Sequence, residues 1–248
     1  MTASKLILHW LSQSRSQRLV WLLEELEVDY EVKIYNRIDG VYSPPELVAL
    51  HPLGRSPVLE IITNGKTRYL AESGHIFQYL LENFDPKRKL APLNDDDKEE
   101  LGFYLHFAEG TLQPDLVSLV IHYITTTKVP WGFRFLVSMV LGAINKGYYE
   151  PHLLASLDFL EGKIKTQHEA GSKYFLGEKV SGADMILYFP IYSNIFSDAE
   201  RSKSIFATIP SVFDRFPHLF QWAQEIVKEP KLIRANKKIA ELDPTTKI

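Results

Sequence analysis

Two short stretches in the first third of the chain carry residues whose types and spacing could bind a peptide-like ligand. In the first, His51–Glu60, Pro57 comes immediately before the apolar run Val58–Ile62, which predicts a strand. A proline cannot donate a hydrogen bond within a sheet, and X-Pro bonds adopt the cis form at modest cost. A cis Ser56–Pro57 bond is expected to turn the backbone N–H and C=O of Val58 toward a ligand rather than toward a neighbouring strand.

The second stretch is the pair Glu72 and Ser73, which lies where a second strand ends and a helix begins. The N-terminus of a helix has free N–H groups and the positive end of the helix dipole, and both favour anionic ligands. The two stretches together predict a peptide-binding edge followed by a corner that binds a carboxylate.

The hydrophobic periodicity predicts the elements that position these residues. Residues 6–35 show a strand–helix–strand pattern, and a short helix, a hairpin and a further helix follow over 45–50, 58–70 and 73–84. The dipeptide Asn64-Gly65 in the middle of the hairpin is a strong turn signal. This order of elements predicts a thioredoxin-like α/β domain over residues 1–85.

The remainder of the chain predicts a second, all-α domain. Residues 86–97 are rich in proline and charge and are interpreted as a linker, which leaves 98–248 as the helical domain. Helical patterns cover about 97–127, 131–147, 151–168, 182–195 and 212–228, with breaks at Pro130, Pro151, Pro210 and Pro217.

Two acidic motifs in this second part favour a structural interpretation. Asp95–Asp97 could in principle bind a metal, but consecutive acids point in different directions on a helix, so an acid-rich helix start is favoured. Ser181 followed by Asp184 predicts a capping box at the start of a core helix.

Composition excludes several classes of function. The chain has 248 residues, a net charge of −3 with interspersed signs, and no cysteine. The charge gives no field that would favour nucleic acid. The missing cysteines exclude disulfides, thiolate metal sites and a cysteine nucleophile, and scattered histidines favour no metal site, so no resident metal or cofactor is expected.

The apolar segments predict a cytoplasmic protein without a transmembrane segment. The start of the chain has no secretory pattern, and the longest nearly apolar run, Phe135–Ile144, is far shorter than the roughly 20 residues that span a bilayer.

The motifs together resemble the glutathione-binding half of the glutathione transferases. The strand Lys5–Trp10 runs into Ser12–Arg18 and then into the helical stretch Leu19–Leu26, followed by the Pro57 loop and the Glu72-Ser73 pair. This run looks most like fungal and bacterial members with a Ser-Arg-Ser segment before the first helix. The resemblance implies a thioredoxin-like N-terminal domain, an all-helical C-terminal domain and a homodimer.

The resemblance also implies roles in binding glutathione. Glu72 would bind the γ-glutamyl ammonium group, and Ser73 its carboxylate. Val58, in the loop with Ser56 and the structural cis-proline Pro57, would pair its backbone with the cysteinyl part. Arg55 is the first candidate for binding the glycyl carboxylate, and Arg37 and His51 are further candidates. Alternatively, Arg55 is a solvated surface arginine with no role in binding.

A transferase must hold glutathione as a thiolate, although a free thiol with a pKa near 8.5 is only about 3% ionised at pH 7. Ser14 is the first choice for the stabilising hydroxyl donor, because it lies four residues before Arg18, as in theta-like members. Ser12 and Ser16 remain alternatives, as do a water and a backbone amide. Ser14 and Gln17 could instead form a capping box.

We therefore expect an enzyme that conjugates glutathione, as a co-substrate, to hydrophobic electrophiles. Reduction of organic hydroperoxides by the same thiolate is a related activity that the sequence leaves open. A non-catalytic interaction module on the same fold is the alternative. The electrophile would bind between the domains, with aromatic and apolar walls expected from Trp10, Tyr104, Phe107, Leu112 and Tyr123. The tail from Lys231 could cover the active site, contact a partner or remain disordered.

Overall fold

The computed structural model describes residues 4–39, 42–91 and 94–246. The strands are β1 Lys5–Leu11, β2 Tyr30–Tyr35, β3 Val58–Thr63 and β4 Lys66–Ala71. The α-helices are α1 Gln17–Glu25, α2 Pro45–Leu50, α3 Ser73–Phe84, α4 Asp95–Phe107, α5 Gln113–Lys128, α6 Arg134–Ile144, α7 Glu150–Glu169, α8 Gly182–Tyr188, α9 Ala199–Ile205, α10 Val212–Arg215, α11 Pro217–Ile226 and α12 Pro230–Leu242.

The four strands form one mixed sheet in the order β2-β1-β3-β4. β1 is parallel to β2 and antiparallel to β3, which in turn is antiparallel to β4. The predicted hairpin is confirmed: Asn64 and Gly65 join β3 to β4 with φ values of 52° and 75°. Positive φ at both central residues is what a tight two-residue hairpin turn requires, and Asn and Gly tolerate it.

Alternation along β1 divides the sheet into two buried faces. Leu6, Leu8 and Trp10 point to one face and are at most 1% exposed, as are most apolar residues of α1 and α3. On the other face, Leu11 packs with Tyr35, and Leu47 and Leu50 of α2 complete that cluster. Burial of both faces fixes the register of β1, because a slip of one residue would exchange them.

The described residues divide into two compact units. The first unit contains the described residues up to Leu101 and those from Ile226 onward, and the second runs from Gly102 to Glu225. Within the first unit α12 packs against α1. The boundaries 1–85, 86–97 and 98–248 stay a prediction, and residues 92 and 93 of the predicted linker lie outside the described residues.

No strand follows Ala71 in the described parts of the chain, and helices joined by loops make up the second unit and the segment from Asp95 that leads into it. Asp95 begins α4, and the N–H of Asp97 donates to Asn94 Oδ1 at 2.7 Å, which confirms the acid-rich helix start. The predicted break at Pro151 is wrong: a π-helical turn over Asn145–Tyr149 joins α6 to α7 without interruption. Pro151 lies directly after the π-helical turn, where the regular ladder of hydrogen bonds between residues i and i−4 is already interrupted, so the continuous helix accommodates a residue without an N–H donor.

The predicted capping box is confirmed and forms a buried centre of hydrogen bonds. Asp184 is fully buried, and its carboxylate accepts from the N–H and the hydroxyl of Ser181 at 2.9 and 2.8 Å. It also accepts from the Phe175 N–H at 3.0 Å and from Trp222 Nε1 at 2.9 Å. Burial raises the pKa of Asp184, and the surrounding donors oppose that shift. One carboxylate thus joins α8, α11 and the loop that carries Phe175.

No helix in the described parts of the chain combines the length and apolar character that crossing a bilayer requires.

Candidate functional site

The pairing of the strands brings the predicted binding residues to one end of the sheet. Val58, the first residue of β3, is paired with His9 near the end of β1 and with Ala71 at the end of β4. Glu72 therefore follows β4 beside the start of β3, where Pro57 enters the sheet. The β1–α1 loop, which carries Ser14, leaves β1 at the same end.

The structure alters the expected role of Val58. Its side chain is fully buried, and its pairing with strands on both sides contradicts the expectation that its backbone faces away from the neighbouring strands. The Ser56–Pro57 peptide bond is cis, as predicted, but the residue that stands outside the ladder is Ser56. We therefore expect the backbone of Ser56, rather than that of Val58, to contact a ligand at this loop.

Glu72 has a strained backbone at the start of α3. Its φ of 71° and ψ of 121° lie in a region that residues other than glycine rarely adopt. Its side chain makes no capping hydrogen bond and is exposed, whereas Ser73, the first helical residue, is 2% exposed. Strain of this kind persists where the surroundings hold a residue in position, and it concentrates at binding sites. The conformation presents the Glu72 carboxylate beside the N-terminus of α3.

Three serine hydroxyls form a cluster at this end of the sheet. The hydroxyl of Ser14 donates to Ser16 Oγ at 3.0 Å, and the Oγ atoms of Ser16 and Ser56 lie 2.6 Å apart. Ser56 Oγ accepts from the Leu11 N–H and donates to the His9 carbonyl, both at 3.2 Å. The side chain of Ser56 therefore links β1 to the serines of the β1–α1 loop. This contact could not be predicted from the sequence, because Ser16 and Ser56 lie 40 positions apart.

The Oγ atoms of Ser14 and Ser56 also lie 3.4 Å apart, and counting protons gives a consistent direction for this chain of hydrogen bonds. A hydroxyl has one proton to donate, and that of Ser56 goes to the His9 carbonyl, which can only accept. Ser16 must then donate to Ser56, and Ser14 donates to Ser16. Ser14 is the first member of the chain, so its proton can turn to a ligand while the remaining bonds stay intact. Ser14 is also 7% exposed, whereas Ser16 is fully buried.

The structure does not form the capping box between Ser14 and Gln17. Helix α1 begins at Gln17 with Ser16 as its N-cap, and Ser14 Oγ accepts from the Ser16 N–H at 3.3 Å. Because the helix starts later than that motif requires, the Ser14 hydroxyl is left for the serine cluster.

The other candidates around the loop have different surroundings. Ser12 Oγ lies within hydrogen-bonding distance of Asn36 Oδ1 and the Tyr35 carbonyl, at 3.1 and 3.3 Å, on the β2 side of the loop. Arg37 donates from Nε to the Ser12 carbonyl at 3.0 Å, and burial lowers its pKa. Arg37 thus supports the backbone of the loop, whereas Arg55 is exposed and available to a ligand at the surface.

A C-terminal segment that the sequence left open is bound to the same loop. The Gln13 N–H donates to Thr246 Oγ1 at 3.3 Å, and that hydroxyl donates to Asp243 Oδ2 at 2.6 Å. Trp10 Nε1 donates to the same Asp243 oxygen at 3.0 Å. We call residues 243–246 the C-terminal clasp. It follows α12 and holds both the end of β1 and the residue before Ser14.

The clasp carboxylate is strongly stabilised in its charged form. Burial alone would raise the pKa of Asp243, but hydrogen bonds donated by Thr245, Thr246 and Trp10 outweigh burial and lower the pKa to about 2. An aspartate turn of this kind, with two threonines following the acid, is a local signal that the sequence Asp243-Pro244-Thr245-Thr246 did carry. Its partner in the β1–α1 loop, more than 200 residues away, was not predictable.

We expect Asp243→Asn to lower the free energy of unfolding by about 1.5–2 kcal/mol at pH 7, because a pKa near 2 reflects stabilisation of roughly 2–3 kcal/mol. Since the folded pKa lies below the unfolded value, this stability is present above about pH 4 and is lost as the pH falls toward 2. Urea unfolding from pH 2 to 7 measures both effects, with the exposed Glu241→Gln as control. An unchanged stability and pH profile in Asp243→Asn would show that the clasp is not formed.

Three of the five residues expected to line an electrophile pocket belong to hydrophobic cores instead. Trp10, Tyr104 and Leu112 are fully buried. Trp10 is bound to Asp243, and Tyr104 packs edge-on against Phe175 with ring centroids 5.3 Å apart. Helical spacing alone does not distinguish aromatics that pack in a core from aromatics that line a pocket. Phe107 is half-buried and Tyr123 exposed.

No set of three or more His, Asp or Glu side chains within the described ranges is arranged to hold a metal ion.

The mixed sheet with the order β2-β1-β3-β4 and its flanking helices define a thioredoxin-like unit, followed by an all-helical unit. Residues 5–82 match the family model described as the glutathione S-transferase N-terminal domain, and residues 143–230 match that of the C-terminal domain. The chain belongs to the glutathione S-transferase family. Its thioredoxin-like plus helical architecture is that of the glutathione transferases, as predicted.

Known proteins with similar sequences support this membership. Over 186 residues the chain is 38% identical to glutathione S-transferase 1 of Saccharomyces cerevisiae, covering 74% of this chain and 78% of that protein. Glutathione S-transferase 3 of Schizosaccharomyces pombe is 34% identical over 188 residues, which cover 76% of this chain and 74% of that protein. The narrower grouping with members that carry a Ser-Arg-Ser segment stays a prediction.

A solved structure shares the fold at lower identity. The glutathione transferase homologue from Lodderomyces elongisporus, with two glutathione molecules per subunit, superposes with a TM-score of 0.72 at 21% identity. The alignment covers 94% of this chain and 98% of that one.

Proposed function

We propose that this protein is a glutathione transferase. It binds glutathione beside Ser14, Ser56 and Glu72, at one end of the sheet, and delivers the glutathione thiolate to hydrophobic electrophiles. The observation that carries the proposal is the serine cluster, in which the Ser14 hydroxyl begins the chain of hydrogen bonds that runs through Ser16 and Ser56 to the His9 carbonyl. The same thiolate could attack the oxygen of an organic hydroperoxide, which extends the proposal to peroxidase activity.

Binding is assigned to residues around that cluster. The Glu72 carboxylate would accept hydrogen bonds from the γ-glutamyl ammonium group, and Ser73 with the N-terminus of α3 would hold the adjacent carboxylate. Ser56 in the loop before Pro57 would meet the cysteinyl backbone, and Arg55 the glycyl carboxylate. Val58 contributes by fixing that loop against β1 and β4. Glutathione enters as a co-substrate, and the proposal involves no resident cofactor or metal.

Activation of the thiol follows from the position of Ser14 beside α1. A hydroxyl that donates to the sulfur stabilises the thiolate, and the nearby N-terminus of α1 adds a favourable dipole. Lowering the thiol pKa by roughly two units makes the thiolate the major species at pH 7 and corresponds to about 2.7 kcal/mol. Membership of the family supports a homodimer and a cytoplasmic location, and both belong to the proposal.

The test is a titration of the purified protein with glutathione between pH 5 and 9, followed by the ultraviolet absorbance of the thiolate. We expect saturable binding and a bound thiol that titrates well below its free value. Glu72→Ala should weaken binding about tenfold, the lower end for a charge-assisted contact, because Glu72 is exposed. Glu82→Ala, an exposed acid elsewhere on α3, serves as the matched control.

The outcomes separate an enzyme from a binding module. If glutathione binds with an unshifted thiol pKa and several standard electrophiles are not conjugated, the protein binds glutathione without activating its thiol. That result would favour the non-catalytic module. Absence of glutathione binding would refute the proposal altogether. An unchanged affinity in Glu72→Ala would remove that residue from the site.

A further inference from the structure

Helix α6 has its apolar side turned outward. Its sequence from Arg134 to Ile144 is almost entirely apolar, yet none of its residues is buried. Five of its side chains fall within one half of the helix circumference and are between 43% and 81% exposed: Phe135, Leu136, Met139, Val140 and Ile144. A helix in a globular protein normally turns such a face toward the core. We call these five residues the apolar arc.

Polar residues at both ends of α6 are hydrogen-bonded to α5 and to the turn that follows it. Arg134 donates from Nε to the Val129 carbonyl at 2.9 Å and from a terminal nitrogen to the Thr127 carbonyl at 3.0 Å, at the end of α5. Asn145 Oδ1, directly after α6, lies 2.5 Å from His122 Nδ1 of α5. These bonds fix the orientation of α6, so the exposure of the apolar arc is built into the packing of the helix.

Aromatic residues extend the apolar surface at the start of α6. Trp131 is 87% exposed and Phe133 is 64% exposed, in the turn that precedes the helix. Trp and Phe beside an apolar helix face are typical of segments that lie in the interface of a bilayer, where the aromatic rings sit at the level of the headgroups. Exposed apolar surface of this extent marks an interaction site.

The charge of the surrounding segment identifies the partner. Residues 116–149 contain three basic residues, Lys128, Arg134 and Lys146, and no acidic residue. All three are exposed. The chain as a whole has 28 basic and 31 acidic residues, so the rest of it carries 25 against 31, a net charge of −6. This local excess of positive charge complements an anionic lipid surface, and each basic residue near such a surface contributes to binding.

We propose that the apolar arc, together with Trp131 and Phe133, binds the protein peripherally to anionic phospholipid bilayers, with α6 lying in the plane of the interface. A two-fold contact of this face with a second copy would instead bring two sets of three cations together without an acid between them. A lipid surface covers a half-cylinder of apolar side chains and neutralises the cations at the same time. Binding there would place the transferase where apolar electrophiles accumulate.

Trp131 provides a direct reporter of this contact. The chain has four tryptophans, and the other three, Trp10, Trp21 and Trp222, are fully buried. The test is the full-length protein with vesicles of phosphatidylcholine containing about 30% phosphatidylserine. We expect a blue shift of the Trp131 emission, quenching by lipids brominated on their acyl chains, and co-sedimentation that weakens as the salt concentration rises. The fluorescence changes should be absent in Trp131→Phe.

The double variant Phe135→Gln/Met139→Gln should reduce partitioning onto these vesicles about tenfold or more, because two apolar side chains are lost from the inserted face. Ile233→Gln is the matched control, since Ile233 is 53% exposed on α12 and lies outside the apolar arc. Glutathione binding by the double variant should stay unchanged, which separates this proposal from that of the transferase site.

Three results would overturn the proposal. The first is an absence of co-sedimentation with the anionic vesicles. The second is equal binding to vesicles of phosphatidylcholine alone, which would remove the role of the basic residues. The third is self-association in analytical ultracentrifugation that Phe135→Gln/Met139→Gln abolishes without any vesicle binding, because it would assign the apolar arc to a second copy of the chain.

Discussion

Replacing Ser14 by alanine is expected to lower the rate of glutathione conjugation about 20-fold at pH 7, with the affinity for glutathione changed by no more than a few-fold. The reason is that the thiol of bound glutathione returns toward its free pKa of about 8.5, at which only about 3% is ionised at pH 7. The loss should diminish as the pH rises, because the thiolate then forms without assistance. The measurement is the pH dependence of kcat/KM between pH 5.5 and 9.

Neighbouring serines serve as controls for this prediction. Ser12→Ala removes a hydroxyl directed toward Asn36 and Tyr35, so the pH profile should keep its wild-type midpoint. Ser16→Ala removes the acceptor of the Ser14 proton, so we expect a smaller change than in Ser14→Ala. A Ser14→Ala profile identical to that of the wild type would contradict the assignment. A shifted profile in Ser12→Ala alone would pass the role to that residue.

The largest expected effect on stability is that of Asp184→Ala, which should lower the free energy of unfolding by about 3–5 kcal/mol. The substitution leaves four buried donors without their acceptor: the Ser181 N–H and hydroxyl, the Phe175 N–H and Trp222 Nε1. Each unsatisfied buried donor costs about 1–3 kcal/mol, and relaxation of the cavity recovers part of the sum. Chemical unfolding followed by circular dichroism measures the change.

Asp158→Ala is the matched control for this experiment. Asp158 also bonds a side chain, Arg215, at 2.7 Å, but its own side chain is 53% exposed. Exposed ion pairs contribute about 0–1 kcal/mol, so we expect little change. Equal losses in the two variants would show that burial of the Asp184 carboxylate is not what makes it important.

Local sequence signals predicted the elements whose cause is itself local. Asn64-Gly65 produced the hairpin because both residues tolerate positive φ, and Ser181 with Asp184 produced the capping box because both partners lie within one helical turn. Alternation along β1 was sufficient to identify the strand, and the order of elements was sufficient to predict the thioredoxin-like unit. These features depend on neighbours in the chain.

The arrangement of the candidate site was only partly predictable. The sequence identified the Pro57 loop, the Glu72-Ser73 pair and the serines, and strand pairing brings them to one end of the sheet. It did not show that Val58 is paired on both sides. Nor did it choose among the three serines, because that choice depends on which hydroxyl meets Ser56 and which meets the end of β2.

The sequence by itself determined the family, the order of elements and the residue types available for chemistry, including the absence of any cysteine. The tertiary structure alone decided which distant segments are in contact: Ser56 with Ser16 of the β1–α1 loop, and the C-terminal clasp with Gln13. It also decided that the apolar arc of α6 is turned outward. The physical reason is the same in each case. Propensity and periodicity act over a few residues, whereas the direction of a side chain and the partner of a buried polar group are set by packing across the whole unit.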